Sequence, residues 1–231
     1  MAKNHGAKQQ KKVAKLKAKR AEKRTELSRR TSNDPTIRLQ RAAKWPVVQS
    51  MVGENLWNEG IGYLAIARQD AGGQLIFGVY LVDVYCLGVK DAFWKASTPS
   101  EFKEVIEKMS TMQRMVPIAP ACLVKIVKAA VEFALSYGFK PYPDFHHAAR
   151  LLEGIDPETC TQEFHFGREG KPCYIQGPYE SFERAAAIMS RLGEAAGNTG
   201  RVLPALDFEK YDSLEEEDAF EDEDDLALPA P

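Results

Sequence analysis

One largely apolar segment, VYLVDVYCLGVKDAFW, holds the side chains best suited to chemistry in this sequence. Asp83 interrupts its apolar run, where a buried carboxylate needs a hydrogen-bonding partner or a shifted pKa. Lys90 and Asp91 follow seven and eight residues later, just past a glycine at which we expect the strand to end. Charged groups that gather at a strand end, beside Cys86, predict a candidate catalytic site.

Two catalytic interpretations fit these residues. In the first, Cys86 is a nucleophile that a nearby base activates. The histidines that could supply this base are His146, His147 and His165. In the second, which is nuclease-like, Asp83 and Asp91 hold Mg²⁺ while Lys90 stabilises the developing negative charge.

A structural interpretation competes with both. Asp83 would cap a neighbouring turn, Lys90 would neutralise it, and Cys86 would pack as a small hydrophobic side chain. The sequence has no Walker, Gly-x-Ser-x-Gly or HExxH motif, so enzymes built on those motifs are not predicted. We predict no cofactor and no metal site, and the small-molecule substrate, if there is one, stays unidentified.

Positive charge is concentrated at the amino terminus. Residues 1–30 contain twelve Lys and Arg residues against two Glu, a net charge of +10. A run this basic attracts polyanions, so we predict a helical or disordered arm that binds nucleic acid, with RNA or the ribosome as partner. A solvated tail is the alternative. The residues assigned to nucleic-acid binding are Lys11, Lys12, Lys15, Lys17, Lys19, Arg20, Lys23 and Arg24.

Negative charge is concentrated near the carboxyl terminus. Residues 207–226 contain twelve Asp and Glu residues against one Lys, a net charge of −11, so the rest of the chain is close to neutral. This composition is typical of a disordered tail. The tail would mask the basic arm, mimic a nucleic acid, or only keep the protein dissolved.

The order of elements predicts an α+β fold in a single domain, with a mainly antiparallel sheet built from two hairpins and packed by helices. The first hairpin would join residues 62–68 to residues 75–89, and the second would join residues 163–166 to residues 173–176. The predicted divisions are an arm over 1–34, a core domain over 35–206 and an acidic tail over 207–231.

Helical periodicity and capping residues predict several helices around the sheet. Thr98 and Glu101 form the pattern of a capping box, and Gly138 provides a stop after a long apolar stripe. Asp144 is expected to cap a shorter helix. The predicted helices cover residues 35–44, 47–58, 99–109, 120–137, 144–153 and 181–196.

The class of protein is bounded by what the sequence lacks. No apolar run reaches the 18 or so residues of a membrane-spanning helix, and the amino terminus has no apolar signal segment. The cysteines have no CxxC spacing, so neither a disulfide framework nor a zinc knuckle is predicted. We therefore expect a cytoplasmic location without membrane association. The cysteines are Cys86, Cys122, Cys160 and Cys173.

Three segments, YLVDVYCLGVKDAFW, YGFKPYPDF and FGREGKPCYIQGPYES, resemble an uncharacterised bacterial protein family. The resemblance covers about residues 45–182 and excludes both charged termini. It implies a single folded core and a bacterial cytoplasmic protein. No activity, cofactor or catalytic residue is attached to that family, so the leading functional hypothesis stays nucleic-acid binding. The alternatives are an enzyme with its site around Asp83 and a protein-interaction module.

Overall fold

A five-stranded antiparallel sheet with helices on both faces forms the centre of the chain, so the predicted α+β class is confirmed. The computed structural model describes residues 34–177, 180–196 and 201–203. It also describes five single residues of the amino-terminal segment, Lys15, Lys17, Lys19, Arg20 and Lys23. The predicted tail over 207–231 lies outside the described residues.

The strands of the sheet are β1 (Val47–Gly53), β2 (Ile61–Gln69), β3 (Leu75–Asp83), β4 (Gly88–Ser97) and β5 (Met115–Pro117). They lie in the order β4–β3–β2–β1–β5, and each neighbouring pair is antiparallel. A second, two-stranded sheet pairs β6 (Cys173–Ile175) in parallel with β7 (Arg201–Leu203).

The α-helices are α1 (Pro35–Ala42), α2 (Leu56–Glu59), α3 (Pro99–Met112), α4 (Pro120–Ser136), α5 (Phe145–Ala148) and α6 (Phe182–Ala196). Two 3₁₀ turns, Ala149–Leu152 and Pro157–Thr159, follow α5. Helix α6 connects the parallel strands β6 and β7, which need a crossover connection of this kind.

Strand β2 is buried on both faces because helices cover the sheet on both sides. Side chains alternate between faces along a strand, so Leu64 and Ile66 join one hydrophobic cluster while Tyr63 and Ala65 join another. Helix α3 contributes Phe102 to the second cluster and α4 contributes its apolar stripe to the first. This two-sided burial explains why β2 and β3 have nearly continuous apolar sequences.

Local capping signals predicted several helix ends correctly. The Asp34 carboxylate accepts hydrogen bonds from the first turn of α1. Thr98 and Glu101 form the complete capping box of α3. Gly138 follows α4 with a φ of 79°, a left-handed conformation that favours glycine. These signals succeed because each involves residues within four positions of one another.

The helix predicted over residues 47–58 is wrong. Residues 47–53 form β1, which pairs with β2 on one side and with β5 on the other. Only the short α2 is helical in this range. The predicted helix would place Met51, Leu56 and Trp57 inward; Met51 and Leu56 are buried, and Trp57 is partly buried. The strand forms because β1 lies between β2 and β5, and its three valines suit a strand better than a helix.

The apolar run over residues 75–89 is not one strand. It turns at residues 84–87, here called the β3–β4 turn, so that β3 and β4 pair antiparallel. The place of β3 inside the sheet agrees with its apolar sequence. Gly78 lies in regular register, and a Cβ there would come within 2.8 Å of the Tyr80 hydroxyl oxygen, so a close approach and not a bulge explains it.

The second predicted hairpin is wrong as well. Residues 163–166 form no strand, and only a tight turn bridging Arg168 and Lys171 remains of it. Strand β6 instead pairs with β7.

Two expectations about helices also differ from the structure. The Asp144 side chain makes no capping hydrogen bond. Phe182, expected on the buried side of α6, is 82% exposed.

A disulfide joins Cys122 of α4 to Cys160, with their Cα atoms 5.0 Å apart. The sequence reasoning missed it because the two residues lie 38 positions apart, without a paired motif. Disulfides are rare in cytosolic proteins, so the cysteine pattern no longer supports the expected cytoplasmic location. In the described part of the chain, no helix is long and apolar enough to cross a membrane.

Candidate functional site

Asp83 is the last residue of β3 and is only 4% exposed. Its Oδ1 accepts hydrogen bonds from the backbone N–H groups of Tyr85 at 2.8 Å and Cys86 at 2.9 Å. Burial raises the pKa of Asp83, against the opposing effects of the Lys90 charge and the backbone donors. Asp83 therefore caps the β3–β4 turn, which agrees with the structural interpretation of this residue.

The β3–β4 turn is hydrogen-bonded to three other parts of the chain. The Val84 N–H donates to Gly60 O at 2.8 Å, and Val84 O accepts from the Gly167 N–H at 2.9 Å. The Cys173 N–H donates to Tyr85 O at 3.0 Å. The conspicuous VDVYCLG sequence thus joins the main sheet to the segment that leads into β6.

Cys86 is fully buried in the β3–β4 turn. Burial raises the pKa of its thiol far above the ordinary value, and the negative charge of Asp83 acts in the same direction. The thiolate is the reactive form of cysteine, so this environment disfavours a nucleophile. Cys86 packs with Leu87, Ala134 and Phe139 in a hydrophobic cluster.

Lys90 and Asp91 lie at the start of β4, and not past a strand end as predicted, because Gly88 begins the strand. Asp91 Oδ1 accepts a hydrogen bond from the Ala92 N–H at 2.7 Å. Burial raises the pKa of Asp91, and the nearby charge of Asp144 raises it further. Asp83 and Asp91 therefore bond to backbone groups, which weakens the Mg²⁺-binding interpretation.

Glu180 is a charged residue beside Lys90 that the sequence reasoning missed. Its Oε2 accepts hydrogen bonds from the Tyr174 hydroxyl at 2.7 Å and from the Gly177 N–H at 2.9 Å. Its Oε1 lies 3.8 Å from Lys90 Nζ and 3.7 Å from Arg184 Nε. Lys90 and Glu180 side chains are 19% and 12% exposed, so this ion pair is largely buried.

The electrostatics of Glu180 favour its ionised form. Burial alone would raise the pKa of Glu180, but the Gly177 N–H, Lys90, Tyr174 and Arg184 together hold it below the ordinary value. Burial and Glu180 both raise the pKa of Tyr174, which stays protonated and donates to the carboxylate. An ionised carboxylate held by several donors stabilises structure and is a poor proton acceptor.

No local pattern could have revealed the Glu180–Lys90 pair, since 90 positions separate the two residues. Ser181 gave a usable signal, because its hydroxyl accepts from the Arg184 N–H at 3.2 Å near the start of α6. That signal predicts where the helix begins. It does not predict what the carboxylate before it will contact.

The candidate histidines lie apart from Cys86 along the chain. His146 and His165 are exposed, and the rings of His146 and His147 lie 3.7 Å apart between centroids. Within the described ranges, no group of three or more His, Cys, Asp or Glu side chains is arranged to hold a metal ion.

The basic arm is described at five of its eight assigned residues. Lys15, Lys17, Lys19, Arg20 and Lys23 are helical and exposed. The other assigned residues, Lys11, Lys12 and Arg24, lie outside the described residues. These five exposed cations lie within nine positions of the sequence.

No family model, curated protein or solved structure matches this chain. The class that the fold defines is therefore an α+β protein with a five-stranded antiparallel sheet. The resemblance to a bacterial family over residues 45–182 stays a prediction, and so does the expected bacterial origin.

Proposed function

We propose that this protein binds nucleic acid through its basic amino-terminal arm, with RNA or the ribosome as the partner. The observation that carries the proposal is the set of five exposed cations on helical residues between positions 15 and 23. Binding would be mainly electrostatic, because phosphate contacts dominate non-specific affinity.

The density of charge on the arm suits a phosphate backbone. Lys15 and Lys23 are eight positions apart in sequence, which at a helical rise of about 1.5 Å per residue would correspond to about 12 Å. A nucleic-acid duplex carries one negative charge per about 1.7 Å of axis, or about seven over that length. Five cations over this length are comparable in number to the phosphates, so the arm would carry enough charge to neutralise part of a nucleic-acid backbone.

The test is a salt titration of RNA binding with a variant that removes only these charges. A labelled single-stranded RNA is titrated with the full chain and with a variant that has glutamine at the five described cations of the arm. We expect the slope of log K against log salt to fall by up to about 3.5, at about 0.7 per lost phosphate contact. An unchanged slope would contradict the proposal.

A matched control removes five exposed cations of the core. Their replacement by glutamine changes the net charge equally, so it separates an effect of the arm from an effect of total charge. We expect this control to keep most of the salt slope. The control residues are Arg41, Lys44, Lys128, Lys140 and Lys171.

The geometry around Asp83 does not favour the enzyme hypothesis. It required Asp83 and Lys90 to converge in a pocket that solvent reaches, but the Asp83 carboxylate is buried and bonded to backbone N–H groups. Cys86, its proposed nucleophile, is buried with a raised thiol pKa. Ribosome binding would require a cytoplasmic location, a compartment in which the Cys122–Cys160 disulfide is unusual.

A further inference from the structure

The two edges of the five-stranded sheet differ in a way that points to a partner. At one edge, β5 has three residues and ends at Pro117, so it offers little backbone for pairing. At the other edge, β4 has ten residues and is hydrogen-bonded to β3 alone in the sheet. A long terminal strand is a ready template for another strand unless it is covered.

The outer side of β4 also presents an exposed aromatic ring. Phe93, in the middle of the strand, is 44% exposed, although its ring meets Phe77 edge to face at 6.2 Å between centroids. Phe93 lies on the sheet face that α3 covers, but at its rim. Phe93 is the one residue of β4 that is exposed, and pairing of this terminal strand with another strand would cover it.

The charges around Phe93 have a symmetric arrangement. Asp91 lies two residues before it and Lys95 two residues after it, so the three side chains share one face of the strand. If two β4 strands pair antiparallel about a twofold axis at Phe93, Asp91 of each copy lies opposite Lys95 of the other. Phe93 then lies opposite Phe93 of the second copy.

Only this register pairs the charges. Moving the axis by one residue toward the amino end places Asp91 opposite Phe93 of the second copy, and moving it toward the carboxyl end places Asp91 opposite Ser97. Both shifts lose both ion pairs. Opposite charges and aromatic rings directly across two strands stabilise their pairing, so the sequence of β4 selects this single self-complementary register.

Neighbouring charges make the Asp91 end of the strand more attractive to a cation. Asp144 lies close enough for its charge to act on Asp91. The Tyr142 N–H donates to Val89 O at 2.9 Å, so the segment before α5 approaches the first residues of β4. The Ala92 N–H donates to Asp91 Oδ1, so pairing in the symmetric register would exchange that local bond for contacts with the second copy.

We propose that β4 is the contact strand of a homodimer, in which two copies of this chain pair antiparallel about a twofold axis at Phe93. The two five-stranded sheets join into one continuous sheet, and two Asp91–Lys95 pairs flank the central phenylalanines. The proposal does not depend on nucleic-acid binding. It assigns the outer edge of β4 to a second copy of the chain, as closed symmetric dimers require.

The test is a charge swap measured by sedimentation velocity of the full, nuclease-treated chain over a range of concentrations. At about 0.1 M salt, where the screening length is about 10 Å, we expect a species of twice the 25.8 kDa chain mass to form as concentration rises. Asp91→Lys alone and Lys95→Asp alone each place like charges opposite one another. Each single variant should weaken the dimer about tenfold or more.

The decisive experiment mixes the two single variants in equal amounts. Asp91→Lys in one copy and Lys95→Asp in the other restore opposite charges at both positions, so the mixture should form a heterodimer. The double variant should likewise recover the dimer by itself. This recovery separates a broken interface from a misfolded chain, because a misfolded variant would not regain its partner on mixing.

Phe93→Asp provides a second variant at the centre of the interface, where it places two carboxylates opposite each other and should give monomer. A wild-type chain that stays monomeric up to about 100 µM would overturn the proposal, since a specific interface of this kind binds more tightly than that. A dimer that is insensitive to Phe93→Asp, or single variants that fail to recover on mixing, would overturn it equally.

Discussion

At the scale of single residues, the most conspicuous carboxylate in the sequence has a structural role. Asp83 is buried because the turn that follows it needs an acceptor for two backbone N–H groups. The apolar surroundings that made it a catalytic candidate are the core of the protein. An unusual residue in an apolar run therefore indicates a local structural demand as readily as a reaction.

Replacing Asp83 by alanine should destabilise the fold far more than replacing it by asparagine. Alanine leaves the buried N–H groups of Tyr85 and Cys86 without their acceptor, at a cost of about 2–4 kcal/mol in the free energy of unfolding. Asparagine keeps an oxygen at the same place and should cost about 1 kcal/mol or less. Urea unfolding of both variants measures the difference, and equal losses would refute the capping role.

Glu180 should make stability depend on pH in the acidic range. Its pKa in the folded protein lies below the ordinary value of 4.5, so the ionised form stabilises the fold. This stabilisation is fully present above pH 4.5, and it is lost as the pH falls through the lower pKa that Glu180 has in the folded protein. Glu180→Gln should therefore lower the unfolding free energy at pH 7, and the difference from wild type should shrink as the pH falls below 4.5.

Urea unfolding of wild type and Glu180→Gln at several pH values above and below 4.5 would measure this effect. Glu183→Gln is a matched control, since Glu183 is an exposed glutamate at the start of the same helix. A difference between wild type and Glu180→Gln that stays constant with pH would contradict the role given to the ion pair.

At the scale of elements, β4 and α4 approach so closely that one position between them must be glycine. A Cβ on Gly88 would lie 2.9 Å from Ala130 O and 2.8 Å from Ala134 Cβ, both in α4. Backbone atoms of a packed helix cannot move aside as the end of a flexible side chain can. The start of β4 is therefore set by packing against α4 as well as by pairing with β3.

Gly88→Ala should destabilise the protein more than Gly154→Ala. Both glycines have a positive φ, 68° and 74°, so both variants carry the conformational cost of about 1 kcal/mol. Nothing lies within 4 Å of a Cβ on Gly154, whereas Gly88→Ala also forces α4 away and should cost a further 1–3 kcal/mol, an order-of-magnitude figure for overpacking. Equal unfolding free energies would rule out the close approach.

The Cys122–Cys160 disulfide holds the segment after the Pro157–Thr159 turn against α4. Lys125 Nζ adds hydrogen bonds to Cys160 O at 3.0 Å and Gln162 O at 2.9 Å. Closing a loop of 38 residues restricts the unfolded chain and should contribute about 3–4 kcal/mol.

Reduction of this disulfide should therefore lower the unfolding temperature of the wild-type protein. A Cys122→Ser, Cys160→Ser double variant should start from the lower temperature and respond no further to the reductant. Thermal unfolding with and without a dithiol reductant makes the comparison. A wild-type transition that the reductant leaves unchanged would show that the bond adds no stability.

At the scale of the whole molecule, the described core buries its hydrophobic residues within itself, without the charged ends. Its buried hydrophobic residues run from Leu39 to Leu192, and they fill both faces of the main sheet. The strongest charge asymmetry of the sequence lies outside this range, at the two ends. Folding and the proposed charge-based binding therefore depend on different parts of the chain.

Removing both charged ends should leave the stability of the core nearly unchanged. We expect a protein of residues 32–206 to unfold cooperatively with a Tm within about 3 °C of the full chain, a difference of less than about 1 kcal/mol. Circular dichroism melts of the two proteins test this expectation. A much lower Tm for the shortened protein would mean that the charged ends contribute to folding.

The sequence by itself determined the features that depend on near neighbours. The α+β class, the hairpin of β2 and β3, and the ends of α3 and α4 follow from apolar periodicity, turn glycines and capping residues a few positions apart. The basic arm and acidic tail are likewise visible in composition alone. These features involve interactions between residues that remain close in space even before the chain folds.

Only the tertiary structure decided which distant residues meet. Residues 47–53 became a strand because β2 and β5 lie on either side of them. Cys122 forms a disulfide with Cys160, 38 positions along the chain, and Glu180 forms an ion pair with the sequence-distant Lys90. Each of these contacts depends on packing among several elements, and a single sequence contains no local pattern that specifies such a pair.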